Sequence, residues 1–92
     1  MKITYLPHAL RRMDERRIAQ WEVAAVLEAP AVEYPGHVFD RVVAERVLPG
    51  RRLAVKVVYN LGAQEDERIV VTVELGRPTR HRRGPAEPEG GE

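Results

Sequence analysis

The 92-residue sequence contains no cysteine and no serine. Disulfides, cysteine metal sites and serine nucleophiles are therefore excluded. Its three histidines, His8, His37 and His81, fall in three different parts of the sequence and lack the spacing of a histidine metal pair. No glycine-rich phosphate loop is present either. We therefore predict that the protein uses no metal and no cofactor.

Long apolar runs are also missing. No segment approaches the ~20 consecutive apolar residues of a membrane-spanning helix, and residues 1–7 are too few and too polar for a signal peptide. Together with the lack of cysteine, these features predict a soluble, cytoplasmic protein with no membrane partner. The length corresponds to one domain, and a hydrophobic fraction of 43% allows a core.

An excess of charge of one sign is absent from most of the chain. Residues 1–76 contain eleven basic and eleven acidic side chains. Bulk charge therefore gives no signal for a nucleic-acid partner, and any such signal must come from how the charges are placed. All but two of the fifteen basic residues are arginine, which pairs with phosphate or carboxylate through a planar fork.

The apolar pattern predicts helices first and strands afterwards. A short strand at residues 2–5 is followed by a helix from Pro7 to about Arg17 and a second helix from about Gln20 to Ala29, which Pro30 ends. The period then changes to two. Extended segments are predicted at residues 31–34, 38–48, 51–61 and 68–75. The expected fold is α+β, with two N-terminal helices packed on a three- to four-stranded, mainly antiparallel sheet.

The Pro49-Gly50 dipeptide predicts the turn of a hairpin. If Leu48 faces Arg51 across it, Val42 pairs with Val57, Ala44 with Val55 and Arg46 with Leu53. One face of the hairpin is then apolar and free to pack on the helices. The opposite face carries Arg41, Glu45, Arg52 and Lys56. In the last strand, one apolar face is expected to hold Ile69, Val71, Val73 and Leu75.

The C-terminal segment differs in composition from the rest. Residues 1–76 are predicted to form a single domain and residues 77–92 a disordered tail, basic at first and then acidic. The arginine cluster at residues 77–83 could bind nucleic acid or an acidic partner. It could equally be a solvated tail.

A stripe of polar side chains lies along the first predicted helix. His8, Arg12 and Arg16 follow one another at i, i+4 spacing, on a different side from the apolar residues. Histidine is the side chain that most often serves as a general acid or base, so His8 could take that role, while the two guanidiniums could hold a phosphate. The alternative is a solvated helix face, on which the arginines pair with neighbouring acidic residues.

The polar face of the hairpin is a second candidate site. Arg41, Arg52 and Lys56 could hold an RNA backbone on an antiparallel sheet. The alternative is that Glu45 and Lys56 are cross-strand partners on a solvated face. Aromatic residues for base stacking are few, with Tyr59 predicted on the apolar side and Phe39 on the open side.

Residues of the first helix carry a family resemblance. His8-Ala9, Arg12-Met13, Glu15-Arg16 and Ile18 are similar to the signature His-Ala-x-x-Arg-Met-x-x-Arg-Gly-Ile of a bacterial family catalogued as domain of unknown function 4258. The resemblance spans about residues 3–76. Weaker matches are Val23, Leu27, Pro30, Arg52-Leu53, Val58-Tyr59 and the segment 69–73.

That family resembles the RelE-type and BrnT-type toxins of bacterial toxin–antitoxin pairs. The resemblance implies a RelE-like fold and metal-independent cleavage of RNA, in which the ribose 2′-OH attacks the adjacent phosphate. Matched by position, His8, Arg12 and Arg16 are the candidate catalytic residues. Implied partners are RNA, including ribosome-bound mRNA, and an antitoxin protein. The sequence leaves open whether the chain also forms a homodimer. Arg17 replaces the signature glycine, which would cost about 1 kcal/mol if the helix end is left-handed.

Three hypotheses follow from the sequence. The first is a toxin-like domain that cleaves or binds RNA through His8, Arg12 and Arg16. The second is a non-catalytic module that binds a protein through the same basic stripe or through a strand edge. In the third, Arg12 and Arg16 are purely structural and pair with Glu15, Glu22 or Glu28.

Overall fold

The computed structural model describes residues 1–79. Within that range no helix is long and apolar enough to cross a membrane. The elements follow one another as β1 (Lys2–Tyr5), α1 (Pro7–Arg16), α2 (Gln20–Glu28), β2 (Val32–Pro35), β3 (Arg41–Arg46), β4 (Ala54–Leu61) and β5 (Glu67–Gly76).

The strands form one mixed sheet in the order β1-β5-β4-β3-β2. β1 runs parallel to β5, and every other neighbouring pair is antiparallel. The predicted α+β class with two N-terminal helices is confirmed. The predicted count of three to four strands is wrong, because both short segments join the sheet and extend it to five strands.

The core lies between the two helices and one face of the sheet. Residues Ala9 and Met13 of α1 and Val23 and Val26 of α2 are fully or almost fully buried. They pack with valines of the central strands: Val55, Val57, Val70 and Val73. The helix α1 packs mainly along β5, whereas α2 crosses β3 and β4. Small and β-branched side chains at these positions allow the helices and strands to approach closely.

α1 ends in a left-handed residue, the geometry in which arginine in place of the signature glycine carries an energetic cost. Arg17 has φ 58° and ψ 50°, the region usually filled by glycine. Its N–H donates to Asp14 O at 3.3 Å, and the N–H of Ile18 donates to Met13 O at 2.8 Å. This is a Schellman motif, completed by the apolar side chains of Met13 and Ile18, which are both buried.

The hairpin turn forms as predicted, but the register is shifted by two residues. The N–H of Arg51 donates to Leu48 O at 3.0 Å, and Gly50 has φ 85°, as the third residue of a type II turn requires. Such a turn splays the two strands. Pairing therefore begins only at Arg46 and Val55, and Ala44 pairs with Val57 rather than with Val55. A shift of two keeps the predicted faces.

The predicted apolar face of the last strand is wrong in its first half. A β-bulge interrupts the pairing of β4 with β5, so that Val58 pairs with Thr72 while the next residue, Tyr59, pairs with Val70. Val71 is the extra residue, and the alternation of faces changes there. Val70 and Val73 are buried, whereas Ile69 and Val71 are only partly so.

The segment after β5 contacts the sheet at Thr79. Its N–H donates to Glu45 Oε1 at 2.7 Å, and its hydroxyl donates to Glu45 Oε2 at 2.8 Å. The tail predicted for residues 77–92 lies outside the described residues from position 80 onward. The same is true of most of the arginine cluster at residues 77–83.

Candidate functional site

The position of α1 brings Arg12 and Arg16 close to the last strand of the sheet. The strand β1 pairs with β5 only as far as Tyr5 and Val70, and the N–H of Leu6 then donates to Val70 O at 3.1 Å. From there α1 packs along β5. Arg12 and Arg16 of its polar stripe reach Glu74, which follows the bulge.

Two arginines of the stripe meet one carboxylate of β5. Arg16 Nε donates to Glu74 Oε1 at 3.0 Å, and Arg12 Nε lies 3.8 Å from Glu74 Oε2. Glu15 lies on the helix side of both arginines, 3.2 Å from Arg12 Nη1 and 3.9 Å from Arg16 Nη1. Arg12 Nε is buried, and within residues 1–79 it has no hydrogen-bond partner.

The third member of the stripe is open to solvent. His8 lies in the first turn of α1, one turn before Arg12, and its side chain is exposed. Within the described residues its imidazole makes no hydrogen bond. The candidate site on α1 therefore combines an accessible imidazole with two guanidiniums that the carboxylates of Glu15 and Glu74 hold in place.

Glu74 also connects the helix stripe to the sheet. It is the direct cross-strand partner of Lys56, whose Nζ lies 3.6 Å from Glu45 Oε2 on the next strand. Charges therefore alternate from Arg16 through Glu74 and Lys56 to Glu45. The structure thus brings Lys56 into line with the stripe of α1. It also confirms that Glu45 and Lys56 are cross-strand partners.

Glu45 is the most enclosed charge of this line, with only 2% of its surface exposed. Burial by itself raises the pKa of its carboxyl, but hydrogen bonds from Thr79 and Tyr34 and the charge of Lys56 outweigh burial and lower it. Tyr34 donates its hydroxyl to Glu45 Oε2 at 2.5 Å. Burial and this hydrogen bond raise the pKa of Tyr34. Glu45 is therefore held as an ionised acceptor.

The other two residues proposed for RNA binding lie apart from this line. Arg41 pairs with Asn60 at the opposite end of β3 from Glu45. The two are four steps apart along an extended strand, or roughly 13 Å. Arg52 lies in the loop before β4 and is exposed. The structure does not group Arg41, Arg52 and Lys56, and their binding of RNA stays a prediction.

Glu74 is the site residue that sequence reasoning missed. The expected alternation along residues 69–75 already placed it on the polar face, between Val73 and Leu75. Its role could not be predicted, because nothing local shows that α1 runs beside β5. The arrangement offers guanidinium and ammonium groups for a phosphate, and an imidazole for proton transfer.

Comparison with known protein families, with curated proteins and with solved structures found no match for this chain.

Proposed function

We propose that this chain is a toxin-like domain that binds and cleaves RNA without a metal, with its active site on α1. The observation that carries the proposal is the convergence of Arg12 and Arg16 on Glu74, with the exposed His8 one helical turn before Arg12. Guanidiniums held by a carboxylate are positioned before a ligand arrives. Each retains N–H groups that do not face Glu74, because arginine has five donors.

The proposed chemistry is attack of a ribose 2′-OH on the adjacent phosphate, which forms a 2′,3′-cyclic phosphate and breaks the bond from phosphorus to the 5′-oxygen. Arg12 and Arg16 would bind the non-bridging oxygens and stabilise the charge that develops on them. His8 would accept the proton of the 2′-OH, and the departing 5′-oxygen would take a proton from water. Lys56 would add a positive charge on the sheet side of the same line.

The experiment is RNA cleavage by the purified chain in the presence of a chelator. Wild type should give products with 2′,3′-cyclic phosphate and 5′-hydroxyl ends. An RNA with 2′-O-methyl riboses should bind but remain uncut. His8→Ala should abolish cleavage and leave the circular dichroism spectrum unchanged, whereas His37→Ala and Arg11→Ala should cleave normally. Full activity of His8→Ala would contradict its role.

The second candidate is a non-catalytic protein-binding module, and the pairing of the charges favours it. Arg12, Arg16 and Lys56 each lie within 4 Å of a carboxylate. A basic surface that is neutralised in this way attracts the RNA backbone less strongly. The same assay decides between the candidates. A folded chain that neither cleaves nor binds RNA would favour the second.

A further inference from the structure

The loop between β2 and β3 presents apolar side chains to solvent. Phe39 is 88% exposed and Val38 51% exposed, and Leu61 at the end of β4 is 66% exposed. All three line one cavity of about 740 Å³. Grouped exposed apolar residues beside a concavity are typical of an interaction site rather than of ordinary surface.

The loop is held in a defined conformation. The N–H of Gly36 donates to Arg41 O at 2.8 Å, and the N–H of Arg41 donates to Val38 O at 3.1 Å. Asp40 has φ 69°, a left-handed conformation that aspartate tolerates better than most residues do. Phe39 is thus presented on a closed loop, which lowers the entropy cost of binding through it.

The cavity is an extension of the apolar sheet face. Pro35 of β2 and Val42 of β3 line it and are cross-strand partners, but no residue of α1 or α2 does so. β2 is one of the two edge strands of the sheet. This end of the apolar face therefore has no helix over it, and it lies where another chain can reach it.

We propose that this surface, consisting of Val38, Phe39, Leu61 and the cavity, docks a second copy of this chain about a two-fold axis. One surface supplies both an apolar projection and a cavity, so two copies can exchange Phe39 side chains. The neighbouring Asp40 and Arg41 have opposite charges and can face each other across the axis.

Other occupants suit this surface less well. Residues 80–92 contain no leucine, isoleucine, valine or aromatic residue and have no apolar anchor to insert. An RNA strand would meet the carboxylates of Glu33 and Asp40 on the cavity wall. The inference does not depend on the proposed cleavage of RNA, because it concerns a surface distinct from the α1 site.

The test is the mass of the full chain in solution, measured by sedimentation velocity from low micromolar to near-millimolar concentration. We expect wild type to approach twice the monomer mass as its concentration rises. Phe39→Asp should remain monomeric, and Phe39→Ala should raise the dissociation constant about thirtyfold. Trp21→Asp, which changes an exposed aromatic residue of α2, is the matched control and should dimerise like wild type.

Two outcomes would overturn the proposal. One is a wild-type chain that stays monomeric at the highest concentration. The occupant of the surface would then be another protein or a ligand. The other is a dimer that persists in Phe39→Asp, which would place the interface elsewhere. Leu61→Glu changes the same surface from β4, outside the loop, and should also remain monomeric. Phe39→Asp and Leu61→Glu should both retain the circular dichroism spectrum of wild type.

Discussion

Arg51 binds Glu22 through two parallel hydrogen bonds. Its Nε donates to Glu22 Oε2 at 2.5 Å and its Nη2 to Glu22 Oε1 at 2.8 Å, while Nη2 also donates to Arg17 O at 2.8 Å. Glu22 further accepts the N–H of Ala19 at 2.9 Å, which caps α2. The pair thus joins the β3–β4 loop to the end of α1 and the start of α2.

Removal of Arg51 should destabilise the protein more than removal of any exposed charged side chain does. Arg51→Ala leaves the carboxylate of Glu22 largely buried without its partner, so we expect a loss of about 2–3 kcal/mol in the free energy of unfolding. Urea denaturation measures it. Arg52→Ala, which removes the exposed neighbouring arginine, should change stability by no more than about 0.5 kcal/mol. Equal effects of the two variants would contradict the central role of the pair.

The stability of the protein should fall in acid. The hydrogen bonds from Arg51 hold the pKa of Glu22 below its usual value, and those from Thr79 and Tyr34 outweigh burial to lower the pKa of Glu45. A lowered folded pKa stabilises the protein above the unfolded glutamate pKa of about 4.3. That stabilisation is lost as the pH falls through the lower folded values.

The measurement is the melting temperature between pH 7 and pH 3. We expect a decline that begins near pH 5 and steepens below it. Glu22→Gln should melt lower at pH 7 but lose less on acidification, because one of the two titrating carboxyls is gone. A wild-type melting temperature that rises between pH 5 and pH 3 would contradict the assignment.

Most of the elements could be predicted from local signals. Both helices and the strand at residues 2–5 lie within a residue or so of their predicted ends, because Pro7, Pro30 and the change of apolar period mark them. The pairing of the strands could not be predicted in the same way. The parallel contact of β1 with β5 joins segments more than sixty residues apart, and no local feature encodes it. The bulge at Val71 likewise depends on the pairing of the whole sheet.

In the candidate site, too, local sequence predicts some features, whereas others depend on tertiary packing. The spacing of His8, Arg12 and Arg16 predicted one stripe, and Arg12 and Arg16 do reach one carboxylate together. The third hypothesis named Glu15, Glu22 or Glu28 as their partners. Glu15 is confirmed, but the other partner is Glu74, which only tertiary packing brings near. Glu22 instead pairs with Arg51.

Glycine at position 17 should stabilise the protein. Arg17 has a left-handed conformation that costs a side-chain-bearing residue about 1 kcal/mol relative to glycine. Arg17→Gly keeps the carbonyl that Arg51 binds. We expect a gain of up to about 1 kcal/mol in the free energy of unfolding, measured by urea denaturation. Arg17→Ala is the control, since it removes the same side chain and should bring no such gain.

Substitution of Arg16, which pairs with Glu74, distinguishes a functional role of this pair from a structural one. Both side chains are about one-third exposed, and such pairs contribute less than about 1 kcal/mol to folding. Arg16→Ala should therefore leave the melting temperature nearly unchanged. If Arg16 binds the reacting phosphate, cleavage of RNA should fall about 100-fold or more.

Arg16→Lys sharpens this prediction. Lysine keeps the charge but cannot bind Glu74 and a phosphate with the same planar fork, so recovery of cleavage should be only partial. Arg11→Ala removes an exposed arginine from the same helix, outside the stripe, and should retain full activity. Two results would count against the site on α1: full cleavage by Arg16→Ala, or an equal loss in Arg11→Ala. A large fall in stability of Arg16→Ala would instead assign the stripe a structural role.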